Sequence, residues 1–178
     1  APGRRTRPTA DRVKEALFNI IATDVPGARV LDLFAGSGAL GIEALSRGAE
    51  SALFVERSPQ ALAALRANLR HTRLEDDGTV VAGDVFRALP RLSRDGRRFD
   101  LIFIDPPYSQ SLGARCLKAV ADGDLLSPDG LAVVEHDAQE DMPERVENLL
   151  KIRIARYGGT ALSFFRRGPH GAGLGGDA

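Results

Sequence analysis

The stretch LDLFAGSGALG, residues 31–41, decides the fold. A short apolar strand runs into glycines at 36, 38 and 41, in the spacing G-x-G-x-x-G, and out into a helix-forming segment. Such a strand, glycine loop and helix lets a ligand approach bare backbone beside a helix N-terminus. The glycines alone do not name that ligand. In a dinucleotide site the helix N-terminus receives a pyrophosphate, which a carboxylate on the preceding strand would repel. Asp32, four positions before Gly36, is such a carboxylate. It suits instead the ammonium and sulfonium of S-adenosylmethionine, which carries no phosphate.

Outward from this stretch the same unit recurs. RVLDLF (29–34) predicts a first strand and ALGIEALSRG a helix stopped by Gly48. SALFVE (51–56) predicts a second strand, with Ser58 and Pro59 as N-cap and first helical residue of the helix that follows. TVVAGD (79–84) and FDLIFID (99–105) predict the third and fourth strands, with a short helix over 86–92 between them. A helix over 112–121 and the strand GLAVVEH (130–136) come next. Upstream, Val13, Leu17, Ile20 and Ile21 share one face of a helix over 10–22 that Thr9 can cap, with Pro26 and Gly27 beyond it. Strands alternating with helices in this way predict an α/β fold, a mostly parallel sheet with helices on both faces. The last part breaks the rhythm: LKIRIARYGGTALSFFRR has alternating apolar positions on both sides of Gly158 and Gly159, a hairpin signature.

Ligands of such sheets bind at the carboxyl ends of the strands, and three successive strands end in an acid. Asp32 belongs to the first. Glu56 ends the second, 20 positions after Gly36, where it can accept hydrogen bonds from ribose hydroxyls. Asp84 ends the third and can take an adenine amino group, with the backbone of Val85 beside it. IDPPYS (104–109) follows the fourth strand. Pro106 and Pro107 have fixed φ angles and no N–H, so the corner is stiff and aims the Pro106 carbonyl outward. With the Asp105 carboxylate, that carbonyl can accept both N–H bonds of an exocyclic nucleobase amine and turn its lone pair toward a sulfonium methyl. Tyr108 offers a ring on which a base taken out of its helix can stack.

Composition narrows the alternatives. A length of 178 residues, 43% hydrophobic and 27% charged, fits one globular domain, with neither a membrane span nor a signal peptide in the sequence. A cytoplasmic monomer is the expectation. The single cysteine, Cys116, falls at core-like spacing from Leu112 and Val120, which argues against a thiolate nucleophile. His71, His136 and His170 lack metal-ligand spacing, so no metal is expected. The net charge of zero hides two basic ends: Arg4, Arg5, Arg7, Arg12 and Lys14 near the start, and Lys151, Arg153, Arg156, Arg166 and Arg167 near the finish. Both are candidates for gripping a polyanion. The Gly-rich stretch 168–178 reads as a disordered tail, and 1–8 as a basic segment ahead of a catalytic domain over 9–167.

RPTADRVKEALFNII (7–21), VLDLFAGSGALGIEALSRGA (30–49), FVE (54–56) and FDLIFIDPPYS (99–109) together resemble the bacterial RsmD family, which methylates the N2 amine of a guanine in 16S ribosomal RNA. The first block discriminates it from other amino-methyltransferases that share AGSG and DPPY. The resemblance implies a Rossmann-like class I methyltransferase fold of seven strands, the last antiparallel. It implies S-adenosylmethionine contacts around Asp32, Gly36, Gly38, Glu56 and Asp84, extending to Phe34, Ala35, Ser37, Arg57 and Val85, with catalysis at Asp105, Pro106, Pro107 and Tyr108. Arg4, Arg5, Arg7, Thr9 and Arg12 would border the cofactor or the RNA, the substrate being 16S rRNA or an assembling small subunit. Family members usually have a further basic segment before RPT; here only APGRRT precedes it, which suggests a shortened N-terminus with reduced RNA affinity. Three rivals stay open: an adenine-N6 methyltransferase of DNA or RNA with the same amine chemistry, an NAD oxidoreductase, and a non-catalytic RNA-binding module.

Overall fold

The computed structural model describes residues 7–107 and 111–168. Among the described residues five helices, α1 (Arg7–Ile20), α2 (Ala39–Ser46), α3 (Pro59–His71), α4 (Val85–Arg94) and α5 (Leu112–Asp122), surround one sheet. Its strands are β1 (Arg29–Leu33), β2 (Ser51–Glu56), β3 (Gly78–Ala82), β4 (Phe99–Ile104), β5 (Leu126–Asp137), β6 (Arg145–Val146), β7 (Leu149–Tyr157) and β8 (Thr160–Arg167). They lie in the order β3-β2-β1-β4-β5-β8-β7-β6, with the first five parallel and β8 antiparallel to both neighbours.

Alternation along each strand separates two cores. Leu31, Leu33, Leu53, Val55, Ile102 and Ile104 point to one face, where Leu89 and Leu92 of α4 and Cys116, Leu117 and Val120 of α5 cover them. Val30, Phe54, Leu101, Phe103 and Phe164 point to the other, under Leu17 and Phe18 of α1, Ile21 just beyond it, Ala44 of α2 and Leu65 of α3. Cys116 is fully buried and its thiol is pushed up to about 12 by desolvation, so it packs rather than reacts. His136 is likewise structural, hydrogen-bonded through its ring nitrogens to Ser163 Oγ at 2.7 Å and the Asp137 carbonyl at 2.8 Å. No helix among the described residues is long and apolar enough to cross a membrane, and no group of three or more His, Cys, Asp or Glu among them could hold a metal.

The structure corrects four expectations. The sheet has eight strands among the described residues rather than seven: β6 adds a two-residue edge, joined to β7 by a turn in which Glu147 takes φ +54 without a glycine. Helix α1 begins at Arg7, so Thr9 lies in its first turn and is not its cap; Pro8 sits there without cost because first-turn N–H groups have no helical acceptor. Strand β5 starts four residues early, through the irregular segment 126–129 whose Pro128 reads as a turn. Fourth, the C-terminal basic run is divided by its hairpin. Because β8 runs backward, Arg166 and Arg167 end at the rim opposite the strand termini of β1 to β5, tied to Asp24 at 3.0 Å and Asp124 at 3.6 Å. Lys151 is engaged by Glu144 at 2.9 Å, and only Arg153 and Arg156 of that run stay exposed.

Glycine at 41 sets the distance between α2 and the sheet. A Cβ there would stand 2.4 Å from the Phe54 ring and 3.1 Å from an Asp32 carboxylate oxygen. In an open helix Gly→Ala gains up to about 1 kcal/mol; here overpacking of a closed core is expected to outweigh it, so Gly41→Ala should lose about 1–3 kcal/mol in urea denaturation. A gain in stability would show that α2 can shift.

Candidate active site

The parallel register brings the ends of β1, β2 and β4 side by side, with Leu33 paired to Val55 and to Ile104. Residues 34–38 leave β1 in a tight loop. Phe34, Gly36 and Gly38 all have positive φ, +60, +59 and +88, and Phe34 is the one that holds it against the preference of a side chain. A Cβ on Gly38 would come within 2.3 Å of Leu65 Cδ1, whereas one on Gly36 would meet nothing within 4 Å. The loop is packed from below at Gly38 and opens into free space at Gly36.

Five hydrogen bonds fix that shape. The Ala35 N–H donates to the Val55 carbonyl at 3.0 Å and the Gly38 N–H to the Ala35 carbonyl at 2.8 Å. Glu56 spans two backbones, accepting from the Gly36 N–H at 2.7 Å and from the Ser58 N–H at 2.9 Å. Asn68 of α3 donates to the Ser37 carbonyl at 3.0 Å. Asn68 was not singled out in the sequence, and nothing local to it marks the role, since its partner lies 31 residues away. Ser37 is exposed, and Ala35 and Gly36 are partly so.

Asp32 is placed differently from a surface carboxylate. It is 1% exposed, lies beneath the loop and accepts the Gly41 N–H at 2.9 Å in the first turn of α2. Burial holds its carboxyl well above the usual range, against the effect of the Gly41 bond, and the charges of Asp105 and Glu56 push the same way. The three acids therefore feel one another at one end of the sheet. A cation in the cleft relieves that repulsion and a pyrophosphate aggravates it, which separates the two adenosine ligands that the glycine spacing leaves open.

Asp84 precedes α4 and makes no capping hydrogen bond; its carboxylate faces the Arg57 guanidinium at 3.9 Å. Val85 is buried at the first position of α4. Asp105 follows β4 directly, next to the end of β1, and both it and Pro106 are half-buried while Pro107 is exposed. Arg12 is exposed and lines a groove between α1 and α2 with Lys14, Phe18, Glu43 and Arg47. Arg7 and Thr9 lie on the first turn of α1. Tyr108, Arg4 and Arg5 lie outside the described residues.

A mostly parallel sheet with one reversed strand beside β5, a glycine loop after β1 and acids at the ends of β1, β2 and β4 define a Rossmann-like methyltransferase domain. A family model described as "Conserved hypothetical protein 95" matches residues 1–166. The chain is 41% identical to the YlbH protein of Bacillus subtilis, over 93% of this chain and 90% of that one. It is 34% identical to the Escherichia coli protein named "Ribosomal RNA small subunit methyltransferase D", over 93% of this chain and 81% of that one. A solved structure described as a conserved hypothetical protein of Streptococcus pyogenes superposes with a TM-score of 0.81 at 35% identity, covering 88% of this chain and 96% of that chain. The chain belongs to the RsmD family of ribosomal RNA methyltransferases.

Two measurements test the site. Glu56→Ala should weaken S-adenosylmethionine binding by about 1.5–3 kcal/mol in calorimetry, the scale of a hydrogen bond to a charged group; an unchanged affinity removes Glu56 from the cleft. Because Asp32 keeps its proton to higher pH in the folded chain than in the unfolded one, its ionisation opposes folding increasingly as pH rises above the ordinary Asp range. Asp32→Asn keeps an acceptor for Gly41 and should match the parent near pH 4 but exceed its stability at neutral pH. Denaturation across that range that shows the opposite trend would mean that the buried carboxylate is not penalised.

Proposed function

We propose that this chain transfers a methyl group from S-adenosylmethionine to the exocyclic N2 amine of a guanine in 16S ribosomal RNA. The observation that carries the reading is Asp105 at the end of β4, set beside the glycine loop on β1 and followed by the stiff Pro106–Pro107 corner. The Escherichia coli relative, a small-subunit rRNA methyltransferase by name, supports the substrate class.

The residues present fit the donor. The open side of Gly36 leaves room against the loop backbone, and Glu56, with one backbone N–H on each oxygen, keeps lone pairs for ribose hydroxyls. Asp84 and the backbone of Val85 would take the adenine. Asp32 acts from underneath, holding α2 to the loop through the Gly41 N–H. When bound, S-adenosylmethionine supplies a methyl group activated by its sulfonium sulfur.

The protein's contribution to the chemistry is orientation. A guanine amine is a weak nucleophile because its lone pair is delocalised into the ring. The Asp105 carboxylate and the Pro106 carbonyl accept its two N–H bonds, draw the nitrogen toward a pyramidal shape and aim the lone pair into the cleft. Asp105 also offsets the positive charge that grows on the nitrogen, which is discharged when the methylated amine releases one N–H proton. Prolines at 106 and 107 keep the corner from turning away. Tyr108 supplies the stacking face for the flipped base.

Asp105→Ala should lower kcat on 16S rRNA substrates by at least about 100-fold, the loss of one electrostatic stabiliser, with donor affinity nearly unchanged. Mass mapping of the product nucleoside reads the target: N2-methylguanosine supports the assignment, and N6-methyladenosine in RNA or duplex DNA overturns it.

A further inference from the structure

Beside the donor cleft, between the edge strand β3 and α4, lies a groove of about 620 Å³. It is lined by the apolar Val81, Ala82 and Ala88 and by Arg57, Arg87 and Arg91, with Asp84 as the acid among them. Many other cations of this protein are engaged by the fold: Arg29 with Asp100, Arg98 with Asp124, Lys118 with Asp122, Lys151 with Glu144 and Arg166 with Asp24. Arg87 and Arg91 are exposed and have no acidic partner among the described residues, while the Arg57 side chain is 79% exposed and only loosely met by Asp84. Spaced four apart on α4, Arg87 and Arg91 project the same way.

A second feature extends this line toward the acceptor corner. Phe86, next to Arg87 at the start of α4, carries the Arg115 guanidinium of α5 over its ring at 4.3 Å. Arg115 is thus an exposed cation held over an aromatic face, with no carboxylate bound to it among the described residues. Helices α4 and α5 begin at the rim where Asp84 and Asp105 lie, so the cations run along the helical side of the same mouth. Asp84 and Asp105 follow strands separated by three sheet spacings, about 14 Å at about 4.8 Å each. That is within reach of a few nucleotides of one strand.

We propose that the β3–α4 groove, through Arg87 and Arg91, holds the phosphates of the rRNA strand flanking the target base, and that Arg115 on Phe86 guides that strand to the acceptor corner. The occupant is a polynucleotide because the cations outnumber the single acid and are spread along a track, rather than gathered around one point as a free anion requires. The proposal rests on the RNA substrate reading, and its test reads the salt dependence of RNA binding alongside turnover.

The experiment measures the affinity of the full chain for a 16S rRNA fragment across a salt series, for the parent, Arg87→Gln/Arg91→Gln and the control Arg66→Gln/Arg70→Gln. The control removes the same charge from α3, outside the groove. Each phosphate contact contributes about 0.7–0.9 to the slope of log affinity against log salt. The groove variant should lose about 1.5 of slope and raise KM for RNA with kcat and donor affinity kept, while the control stays with the parent. Equal losses in both variants, no loss in either, loss of donor binding in the groove variant, or a parent that does not bind the RNA each overturn the proposal. A parent that binds through the groove but methylates no rRNA refutes the functional reading alone.

Discussion

The closeness of α2 to the sheet is the constraint on which the site depends. Only a residue without Cβ lets the helix lie against the Phe54 ring at position 41, and the narrow seam left there is filled by the Asp32 carboxylate. With the helix start fixed, the chain between Leu33 and Ala39 has one short path, and it takes that path through three positive φ angles. Glu56 and Asn68 then hold the loop from neighbouring elements that are themselves set by their register and packing against β1 and β2. The position of Asp105 follows from the pairing of β4 with the other side of β1. A tolerance of one methyl group at α2 would loosen every one of these relationships.

Much of this was legible in the residues. Strands β1, β2 and β4 are covered on both faces and so appear as nearly unbroken apolar runs, and their boundaries agree with the reading to within a residue. The Ser58–Pro59 start of α3 is where it was expected, with Ser58 Oγ accepting from the Ala61 N–H at 3.3 Å. Strand β6 was hidden because two residues carry no period, and its turn lacks the glycine that would have announced it. The start of α1 was misplaced because Pro8 reads as a boundary although the first helical turn accepts it.

At the site, identities were easier to read than directions. The acids at 32, 56, 84 and 105 are evident as strand ends, but only the fold shows Asp32 turned under the loop toward Gly41. Alternation does contain a hint, since Leu31 and Leu33 face α4 and α5, which sends Asp32 to the opposite side with Val30. The terminal basic run is divided for a topological reason: the hairpin carries Arg156 to the rim away from Arg166 and Arg167, which are tied to Asp24 and Asp124. Zero net charge conceals a sorted field. Acids gather at the sheet rim, where a cationic donor fits, and unengaged arginines stand on the helices beside it, where a polyanion fits.

The sealed position of Cys116 has a practical consequence. It is the single cysteine of the chain, fully buried between α5 and the sheet, with a thiol that stays protonated at neutral pH. Maleimides and other soft electrophiles therefore find no native target on the folded protein. A cysteine introduced at any exposed position would be the only labelled atom, so fluorescent or spin probes can be attached at chosen points around the mouth without first removing a background thiol.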